Sequence, residues 1–476
     1  MEAGGVTGLH EDRYFDPDPA IRRNARTLYD ATRALPIVSP HGHVDPAILA
    51  KNEAFTDPAS LIITPDHYIL RMLYSRGVPL ESLGVAPIDG TPPRPEKDPR
   101  RIWQTFADQW HLFRGTPTRA WLEYELHEVF GIRDALDSTS AQHVYDEIVE
   151  RLQSPEFRPR SLFRRFNIEV LATTDAASDS LEHHQALRSA DMGGRVVPTF
   201  RPDALFRIAA LGWFVEIENL GRVTGGKIKS CSELLNALTR RRAEFKAMGA
   251  TATDHAVVVP RTVRLPDADA EKLFAKALAG RATNEDQASF EAHLLMEMAR
   301  LSVEDGLVMQ LHAGALRNHD ELVHRRFGAD KGGDIPVATE FTRNLRPLLN
   351  AYGNDSRFRL IVFTLDESTY SRELAPLAGH YPAMLLGAPW WFHDSVEGMI
   401  RFRQQTTETA GIENTAGFTD DTRAFCSIPA RHDLARRVDA NYLGGLVARH
   451  VIGMPDALEM ARAMAYDLAR RAYRLT

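Results

Sequence analysis

Short β-rich runs that alternate with helical spacing constrain the fold of this chain more than any other feature. The first run is Ile37–Ser39, and the later runs end in polar residues before a stretch of helical periodicity begins. Eight strands are predicted in this way, at residues 37–39, 168–173, 196–200, 256–259, 307–311, 358–363, 384–387 and 415–419. Strands alternating with helices are typical of parallel βαβ units. Eight units predict a (β/α)8 TIM-type barrel with its active site at the C-terminal ends of the strands.

The stretch between the first two predicted strands, roughly residues 50–160, has a helical and aromatic pattern. We expect an insertion beside the barrel mouth, with its aromatic side chains in a core rather than around a cofactor. This divides the chain into an N-terminal helix and first strand (1–50), a helical insertion (51–165) and the remaining barrel with C-terminal helices (166–476). A doubly wound open sheet is the alternative, but no G-x-G-x-x-G or Walker-type loop follows the first strand.

Three helix boundaries follow from local signals. An opening helix is expected from Asp18 to Ala34, and a closing amphipathic helix from Asp456. Thr64 is predicted to cap a further helix, because Pro65 suits the first helical position. That helix carries His67 and Tyr68 in its first turn.

Composition narrows the class of protein. A net charge of −7 gives no electrostatic reason to expect nucleic acid, and we find no apolar run near the ~18 residues of a membrane span. The N-terminus has neither a basic region nor an apolar region typical of a signal peptide. Two cysteines cannot form a disulfide framework in 476 residues. We therefore expect a cytoplasmic protein.

Two histidines, His41 and His43, stand one residue apart after the first predicted strand. On an extended strand end their side chains point to the same side, and neutral imidazole is a common metal ligand. Asp421, at the end of the last predicted strand, supplies a carboxylate for a mononuclear site, and Asp420 competes with it for that role. Zinc suits nitrogen and oxygen ligands, with manganese or iron as alternatives.

Other polar residues gather at the same predicted rim. Arg201, Arg317 and Arg423 favour a small anionic substrate, because guanidinium groups bind carboxylates through two hydrogen bonds. His312 is a candidate either for a further metal ligand or for a hydrogen bond to the substrate. His67 and Tyr68 lie at a helix N-terminus, where positive potential favours anions and eases ionisation of a phenol.

Eight segments in order carry a resemblance that spans most of the chain. They are PHGH (40–43), DHY (66–68), TTDAASDSLEHH (173–184), PTFRPD (198–203), GATATDHA (249–256), LHAGALRN (311–318), GAPWWF (387–392) and GFTDDTRAF (417–425). Together they resemble the uronate isomerases (glucuronate isomerases), a divergent branch of the amidohydrolase superfamily.

The resemblance implies a distorted (β/α)8 barrel that converts D-glucuronate to D-fructuronate and D-galacturonate to D-tagaturonate. It implies that His41, His43 and Asp421 hold a divalent metal, with Zn²⁺ first among the alternatives. The residues it places around the sugar are His67, Tyr68, Arg201, Asp254, His312, Trp390 and Arg423. It also suggests a homo-oligomer, with the tryptophan-rich insertion as a candidate contact surface.

Aldose–ketose isomerisation moves a proton from C2 to C1, through a cis-enediol. It needs a base near C2, a group that shuttles the hydroxyl and carbonyl protons, and positive charge near the enediolate. Tyr68 or Asp421, the latter directly or through a water, is the candidate base. Arg423 is expected to stabilise the enediolate, and His67 completes the catalytic set.

The chain departs from the family pattern beside the first histidine. Ser39-Pro40 stands where the family has an acidic residue followed by an aromatic one, and Gly42 replaces a cysteine. A carboxylate that would support a ligand is therefore expected to be missing, which would weaken metal affinity. Ile69-Leu70 likewise replaces an aromatic residue after DHY.

Two other functions remain as alternatives. A metal-dependent hydrolase acting on a lactone, amide or ester would use the same barrel, but its binuclear form needs a histidine on the sixth strand. Here that strand ends in Thr364-Leu365-Asp366. A non-catalytic protein that binds sugar acids would need the arginines but not His41, His43 and Asp421 together.

Overall fold

The computed structural model describes residues 8–475. The outermost residues of the predicted N-terminal and C-terminal segments therefore lie outside the described range. The strands are β1 (Ile37–Ser39), β2 (Ile168–Ala172), β3 (Asp175–Ala176), β4 (Arg195–Val197), β5 (Phe200–Arg201), β6 (Ala252–Val257), β7 (Val308–Ala313), β8 (Ala315–Leu316), β9 (Ile335–Pro336), β10 (Leu360–Thr364) and β11 (Met384–Leu386). Apart from the antiparallel β8–β9 hairpin, all pairings between these strands are parallel.

Strand order follows chain order in both parallel sheets. One sheet runs β1-β2-β4 and the other β3-β5-β6-β7-β10-β11. Two residues separate β2 from β3, and two separate β4 from β5, so the chain passes between the sheets twice in succession. A doubly wound sheet would reverse its order at a switch point, and neither sheet does. The α/β class with parallel strands is confirmed.

Two predicted strands are wrong in their placement, and a third, predicted at 196–200, is divided between β4 and β5 in different sheets. The run predicted at 256–259 is the end of a strand that spans Ala252–Val257, while Val258 and Val259 are exposed. The first half of this strand contains the buried polar residues Thr253, Asp254 and His255, so the hydrophobic pattern placed the start of the strand too far along the chain. The run predicted at 415–419 contributes a single bridge, between Thr415 and Leu386. Gly417 has a φ of +77°, which ends the extended conformation there.

Helices fill the connections. They are α1 (Pro19–Thr32), α2 (Pro46–Lys51), α3 (His67–Tyr74), α4 (Pro99–Asp108), α5 (Pro117–Tyr124), α6 (Ala141–Leu152), α7 (Pro159–Arg165), α8 (Glu182–Leu187), α9 (Asp203–Phe206), α10 (Trp213–Thr224), α11 (Cys231–Ala247), α12 (Asp267–Leu278), α13 (Asn284–Asp305), α14 (Glu321–Phe327), α15 (Arg346–Tyr352), α16 (Ala375–Ala378), α17 (Val396–Ala410), α18 (Ile428–Ala448), α19 (Met454–Arg462) and α20 (Leu468–Ala472). Single turns of π-helix occur at Ala59–Ile63, Glu125–Val129, Tyr370–Leu374 and Ala463–Asp467, and 3₁₀ turns at Leu80–Leu83, Trp110–Phe113, Pro155–Phe157, Trp391–His393 and Phe425–Ser427. None of the helices within residues 8–475 is both long enough and apolar enough to cross a membrane.

The helical insertion packs most of its apolar side chains into a cluster that it shares with strands β1, β2 and β4. Residues 51–165 contain helices and no strand. Trp103, Trp110 and Trp121 are buried in apolar clusters, as predicted for core side chains. Because these tryptophans are buried, they do not form a surface for subunit contact, and the prediction of a tryptophan-rich contact surface is wrong.

Local capping decides where α3 begins. Asp66 precedes the helix, and its Oδ1 accepts a hydrogen bond from the Tyr68 N–H at 2.7 Å. The predicted Thr64 cap is wrong, because the Thr64 hydroxyl instead donates to the Leu83 carbonyl at 3.0 Å. His67 and Tyr68 do occupy the first turn. The opening helix, predicted from Asp18 to Ala34, spans Pro19–Thr32 with Asp18 as its cap. The closing helix, predicted from Asp456, begins at Met454 and is interrupted by a π-helical turn.

Candidate active site

Strand ends and their following loops surround a cavity of about 340 Å³. Most of the residues predicted for the site line it. They are His41, His43, His67, Arg201, Asp254, His312, Arg317, Trp390, Asp421 and Arg423. Tyr68 is not among the lining residues and borders a smaller neighbouring cavity with His67, Trp391 and Arg423.

The two histidines after β1 meet Asp421, which lies in the segment that follows Gly417. His43 Nε2 lies 3.1 Å and His41 Nε2 3.4 Å from Asp421 Oδ1. The His43 N–H donates to the Thr422 carbonyl at 2.9 Å, which ties the two segments together. Asp420 is not part of this group, because its Oδ2 lies 3.0 Å from His432 Nε2.

This group fits a divalent cation. Its three ligand atoms lie within 4.8 Å of one another. Asp421 Oδ1 is buried without a directed hydrogen bond from any described residue, although two imidazole nitrogens face it. Two nitrogens and one carboxylate oxygen form a donor set that suits zinc and leaves positions open for other ligands.

A second group shares His41 and adds Asp254 from β6 and His312 from β7. His312 Nδ1 lies 2.7 Å from Asp254 Oδ1. Arg201 Nε lies 3.4 Å from the other oxygen of Asp254, so a guanidinium already offsets this carboxylate. A cation is therefore better accommodated by His41, His43 and Asp421.

The Asp254–His312 pair fixes how the imidazole is presented. Burial lowers the pKa of His312 despite the nearby Asp254, so the ring is neutral at neutral pH. Burial acts to raise the pKa of Asp254, but His312 and Arg201 hold it well below its ordinary value. His312 packs face to face on Phe363, with ring centres 4.1 Å apart. Its proton on Nδ1 is then directed at Asp254, and Nε2 is left as an acceptor without a partner among the described residues.

Three arginines of the cavity, Arg201, Arg317 and Arg423, are each paired with a carboxylate. Arg201 Nε donates to Asp203 Oδ2 at 2.8 Å, and the Ala256 N–H reaches the same carboxylate. Arg317 Nη1 donates to Asp334 Oδ2 at 3.1 Å. Arg423 Nη2 lies 3.4 Å from Asp330 Oδ2.

The first turn of α3 brings an imidazole and a phenol to the rim. Burial and the nearby Arg423 lower the pKa of His67 to about 3, so its ring is neutral. Burial raises the pKa of Tyr68, which is opposite to the ionisation expected from the helix N-terminus. The two rings lie 4.3 Å apart, centre to centre. Tyr68 is therefore a protonated phenol packed behind His67.

The departures beside His41 have a structural counterpart. His41 Nδ1 and Ser39 Oγ are both buried and have no hydrogen-bond partner among residues 8–475. The carboxylate that commonly orients a ligating imidazole is thus missing, as the sequence predicted. A Cβ placed on Gly42 would meet its nearest neighbour, the Thr422 carbonyl oxygen, at 3.4 Å, so a side chain of one carbon would be in ordinary contact there.

Sequence reasoning missed several lining residues. They include Asp203, Arg207, Asp330, Asp334 and Trp391. Asp203 and Trp391 stand within motifs already singled out, so proximity to Arg201 and Trp390 was an available signal. Asp330 and Asp334 come from the long connection between β8 and β9, which has no pattern that reveals its path.

Comparison with known proteins gives one consistent result. The family model for glucuronate isomerase matches residues 19–473. A uronate isomerase from Nostoc punctiforme is 56% identical over 468 residues, covering 98% of both chains. The crystal structure of glucuronate isomerase from Caulobacter crescentus has a TM-score of 0.96 at 48% identity and covers 98% of this chain and 97% of that one. A Thermotoga maritima uronate isomerase has a TM-score of 0.91 at 28% identity, over 98% of this chain and 99% of its own.

Proposed function

The chain belongs to the glucuronate isomerase family, and from this premise we propose how its cavity interconverts D-glucuronate with D-fructuronate. The protein is an enzyme, a uronate isomerase, and the hydrolase alternative is not favoured. We propose that the same cavity also interconverts D-galacturonate with D-tagaturonate, as the resemblance implies.

The observation that carries the mechanism is the convergence of one ionised carboxylate, one neutral imidazole and one guanidinium on a single cavity. Asp421, His67 and Arg423 all line it. Burial acts to raise the pKa of Asp421, but His41 and His43 hold it well below its ordinary value. An ionised base, a neutral proton carrier and a fixed positive charge are what an enediolate reaction requires.

We assign the proton transfer at carbon to Asp421. Its carboxylate removes the proton from C2 of the open-chain uronate and returns a proton to C1. The alternative base, Tyr68, is disfavoured because burial raises its pKa and it lies behind His67. We assign to Tyr68 the packing that orients His67.

His67 moves the proton between the two oxygens. Its neutral ring donates a proton to O1, which changes from carbonyl to hydroxyl, and accepts one from O2, which becomes the ketone. His67 Nδ1 has no partner among the described residues, so the ring is not committed to a protein hydrogen bond there. The Arg423 guanidinium stabilises the negative charge of the enediolate.

The remaining residues bind the sugar acid. Arg201, Asp254, His312, Arg317 and Trp390 form the rest of the wall. We propose that they hold the hydroxyl groups and the carboxylate so that C2 faces Asp421. A divalent metal at His41, His43 and Asp421, most simply Zn²⁺, supplies positive charge that holds and polarises substrate oxygens when it is bound.

We further propose that the two parallel sheets form one distorted (β/α)8 barrel. Strand order follows the chain within each sheet, β1-β2-β4 and β3-β5-β6-β7-β10-β11, and Thr415 bridges to Leu386 at the end of β11. The hydrogen bond from the His43 N–H to the Thr422 carbonyl joins the first segment to the last. The short strands and the two sheet-to-sheet transitions account for the distortion.

The mechanism is tested by turnover before and after chelation. Purified protein is assayed with D-glucuronate and D-galacturonate, beside a panel of lactones and esters. We expect ketouronate formation with both sugars, loss or marked reduction after chelation, recovery with Zn²⁺, and no hydrolysis. Absence of turnover with either sugar in the metal-replete protein would contradict the proposal. Full activity after verified metal removal would show that the metal has no part in the mechanism.

We propose that the enzyme is a cytoplasmic homo-oligomer. Cys231 and Cys426 are both buried free thiols, which suits a reducing compartment. Exposed apolar side chains, which suit a subunit interface, occur on consecutive connections after β5, β6 and β7. They are Leu211, Phe214, Val215, Val258, Val259 and Leu316. Light scattering on the purified protein tests the oligomer, and a monomeric mass across the working concentration range would contradict it.

A further inference from the structure

We propose that Arg431 is a positioning residue that fixes three segments of the active site relative to one another. The segments are the start of α3 with Tyr68, the loop with Trp390 and Trp391, and the last barrel segment with Asp421. The proposal rests on the proposed function, because it concerns how the catalytic side chains of that reaction are held.

Arg431, in α18, is a buried cation with three polar partners. It is 2% exposed. Its Nη1 donates to Asp394 Oδ2 at 2.5 Å and to the Asp420 carbonyl at 3.3 Å. Its Nε donates to Ser427 Oγ at 3.3 Å. One guanidinium therefore joins the loop before Asp394 to the backbone next to Asp421.

Two contacts of Arg431, with Asp394 and with the Asp420 carbonyl, lie close to residues with strained backbone. Asp421 has a φ of +40° and Trp391 a φ of +47°, conformations that are strained for residues other than glycine. The Asp420 carbonyl belongs to the peptide unit that precedes Asp421. Asp394 follows the 3₁₀ turn Trp391–His393, and its N–H donates to the Trp391 carbonyl at 3.0 Å. Arg431 is thus linked to two of the cavity-lining residues with positive φ, Asp421 and Trp391.

The guanidinium also supports the aromatic side of the site. Its central carbon lies 3.5 Å from the ring centre of Trp121 and 5.5 Å from that of Tyr68. Trp121 and Tyr68 are in edge-to-face contact at 5.5 Å. The cation is therefore part of the packing that places Tyr68, and through it His67.

A hydrogen-bond chain extends the same support to the histidine pair. Ser427, which accepts from Arg431, lies with its Oγ 3.0 Å from Thr422 Oγ1. The Thr422 carbonyl in turn accepts from the His43 N–H at 2.9 Å. A substitution at Arg431 should consequently shift His43 and Asp421, although it removes no side chain that lines the cavity.

A purely structural role is the competing explanation, and the chain offers a matched control. Arg403 on α17 and Asp439 on α18 form a second buried pair, with two hydrogen bonds of 2.8 and 3.0 Å. Neither residue lines the described cavity. Replacing either arginine by lysine keeps the charge and shortens the reach, so both variants should lose comparable stability.

The experiment compares Arg431→Lys with Arg403→Lys in the full chain. Each variant is measured for unfolding midpoint, for kcat and KM with D-glucuronate, and for the Zn²⁺ dissociation constant by chelator competition. We expect R431K to weaken Zn²⁺ binding by about 10-fold or more, as support residues of metal ligands do, and to lower kcat by a similar factor. We expect R403K to change each constant by less than about threefold, within the range of substitutions remote from a site.

Equal behaviour of the two variants in Zn²⁺ affinity and in kcat would overturn the proposal. Should R431K fail to fold, Trp121→Phe carries the same test, since it leaves both buried charges in place and changes only the stacking partner. Unchanged Zn²⁺ affinity and kcat in W121F would then overturn it. Failure of the wild-type protein to isomerise uronates would instead contradict the proposed function. This outcome is distinguishable from failure of the Arg431 proposal, because Zn²⁺ affinity is measured without substrate.

Discussion

The cavity has two walls that differ in how their polar groups are satisfied. The paired wall consists of Arg201, Asp203, Asp254 and His312, and its charged groups are matched to one another at 2.7 to 3.4 Å. The open wall consists of His41, His43, His67 and Asp421. Among the described residues, three of its polar atoms have no hydrogen-bond partner, namely His41 Nδ1, His67 Nδ1 and Asp421 Oδ1.

This difference separates two tasks. Buried polar groups are normally hydrogen-bonded, and an unmatched one costs about 1–3 kcal/mol. In the paired wall the charged groups are matched before any ligand arrives, so they define the shape and charge of the pocket, while His312 Nε2 has no partner among the described residues and is left to accept a hydrogen bond from a ligand. Two open-wall groups, Asp421 Oδ1 and the His67 ring, keep bonding capacity for metal and substrate. Substitutions on the paired wall should therefore cost stability as well as activity, and substitutions on the open wall mainly activity.

Asp421→Asn should have the largest effect on catalysis. It removes the base and a metal ligand together, and we expect kcat to fall by about 10³-fold or more. Thermal stability without metal should be nearly unchanged, because Asp421 Oδ1 has no directed hydrogen bond to lose. The measurements are kcat with D-glucuronate and unfolding of the metal-free protein. Asp420→Asn, at the neighbouring carboxylate, is the control, and near wild-type turnover of D421N would contradict the assignment.

Asp254→Asn tests the paired wall. The change leaves Arg201 and His312 without their shared carboxylate, and we expect kcat/KM to fall by about 100-fold. Unlike D421N, it should also lower the free energy of unfolding by about 1–3 kcal/mol, since the variant weakens the buried hydrogen bond to His312 and removes one of the two carboxylates that offset Arg201. Thermal or urea unfolding beside steady-state kinetics checks both. A D254N protein as stable as wild type would break the distinction between the walls.

Tyr68→Phe should have a smaller effect. Because Tyr68 is a protonated phenol behind His67, its ring contact is retained in the variant, and we expect kcat to fall by less than about 10-fold. The pH dependence of kcat decides the matter. A fall of about 10³-fold together with loss of an ionisation from the profile would instead make Tyr68 the base, and would extend the open wall to include it.

How far the sequence predicted these walls depends on where each residue lies. His41, His43 and Asp421 were identifiable because they are polar residues directly after apolar strand runs, and such residues gather at one rim. Strand β6 was misplaced because Thr253, Asp254 and His255 are buried polar residues inside a strand, where hydrophobicity gives the wrong signal. Their burial depends on partners from β5 and β7.

The positions of loop residues and the roles of buried cations could not be predicted from the sequence for the same reason. The connection that carries Asp330 and Asp334 is placed by long-range packing, and a Cβ on Gly332 would come 2.8 Å from the His67 carbonyl. Arg431 reads in the sequence as one of many arginines on a helix. Its partners, Asp394 and Trp121, are far away along the chain, so no local pattern marks it.

The smallest expected effect on kcat concerns a buried carboxyl group near Asp66, the residue that precedes His67 of the open wall. This group belongs to Glu125, and its pKa is raised to about 8 by burial and by nearby Asp66, against the opposing influence of Arg431. A carboxyl with a raised pKa in the folded state remains protonated while the unfolded chain ionises. The resulting stability is complete below the unfolded pKa near 4.5 and is lost as pH rises toward 8.

Glu125→Gln removes this dependence, because glutamine does not ionise. We expect the stabilities of the variant and the wild type to change in parallel below about pH 4.5. Between pH 4.5 and 8 the wild type should lose about 4 kcal/mol relative to the variant, with kcat unaffected. Urea unfolding between these two pH values measures the difference. Glu128→Gln, on the exposed side of the same turn, should show no such trend. A parallel pH dependence of E125Q and wild type would mean that water reaches Glu125, and that the layer next to Asp66 is not dry.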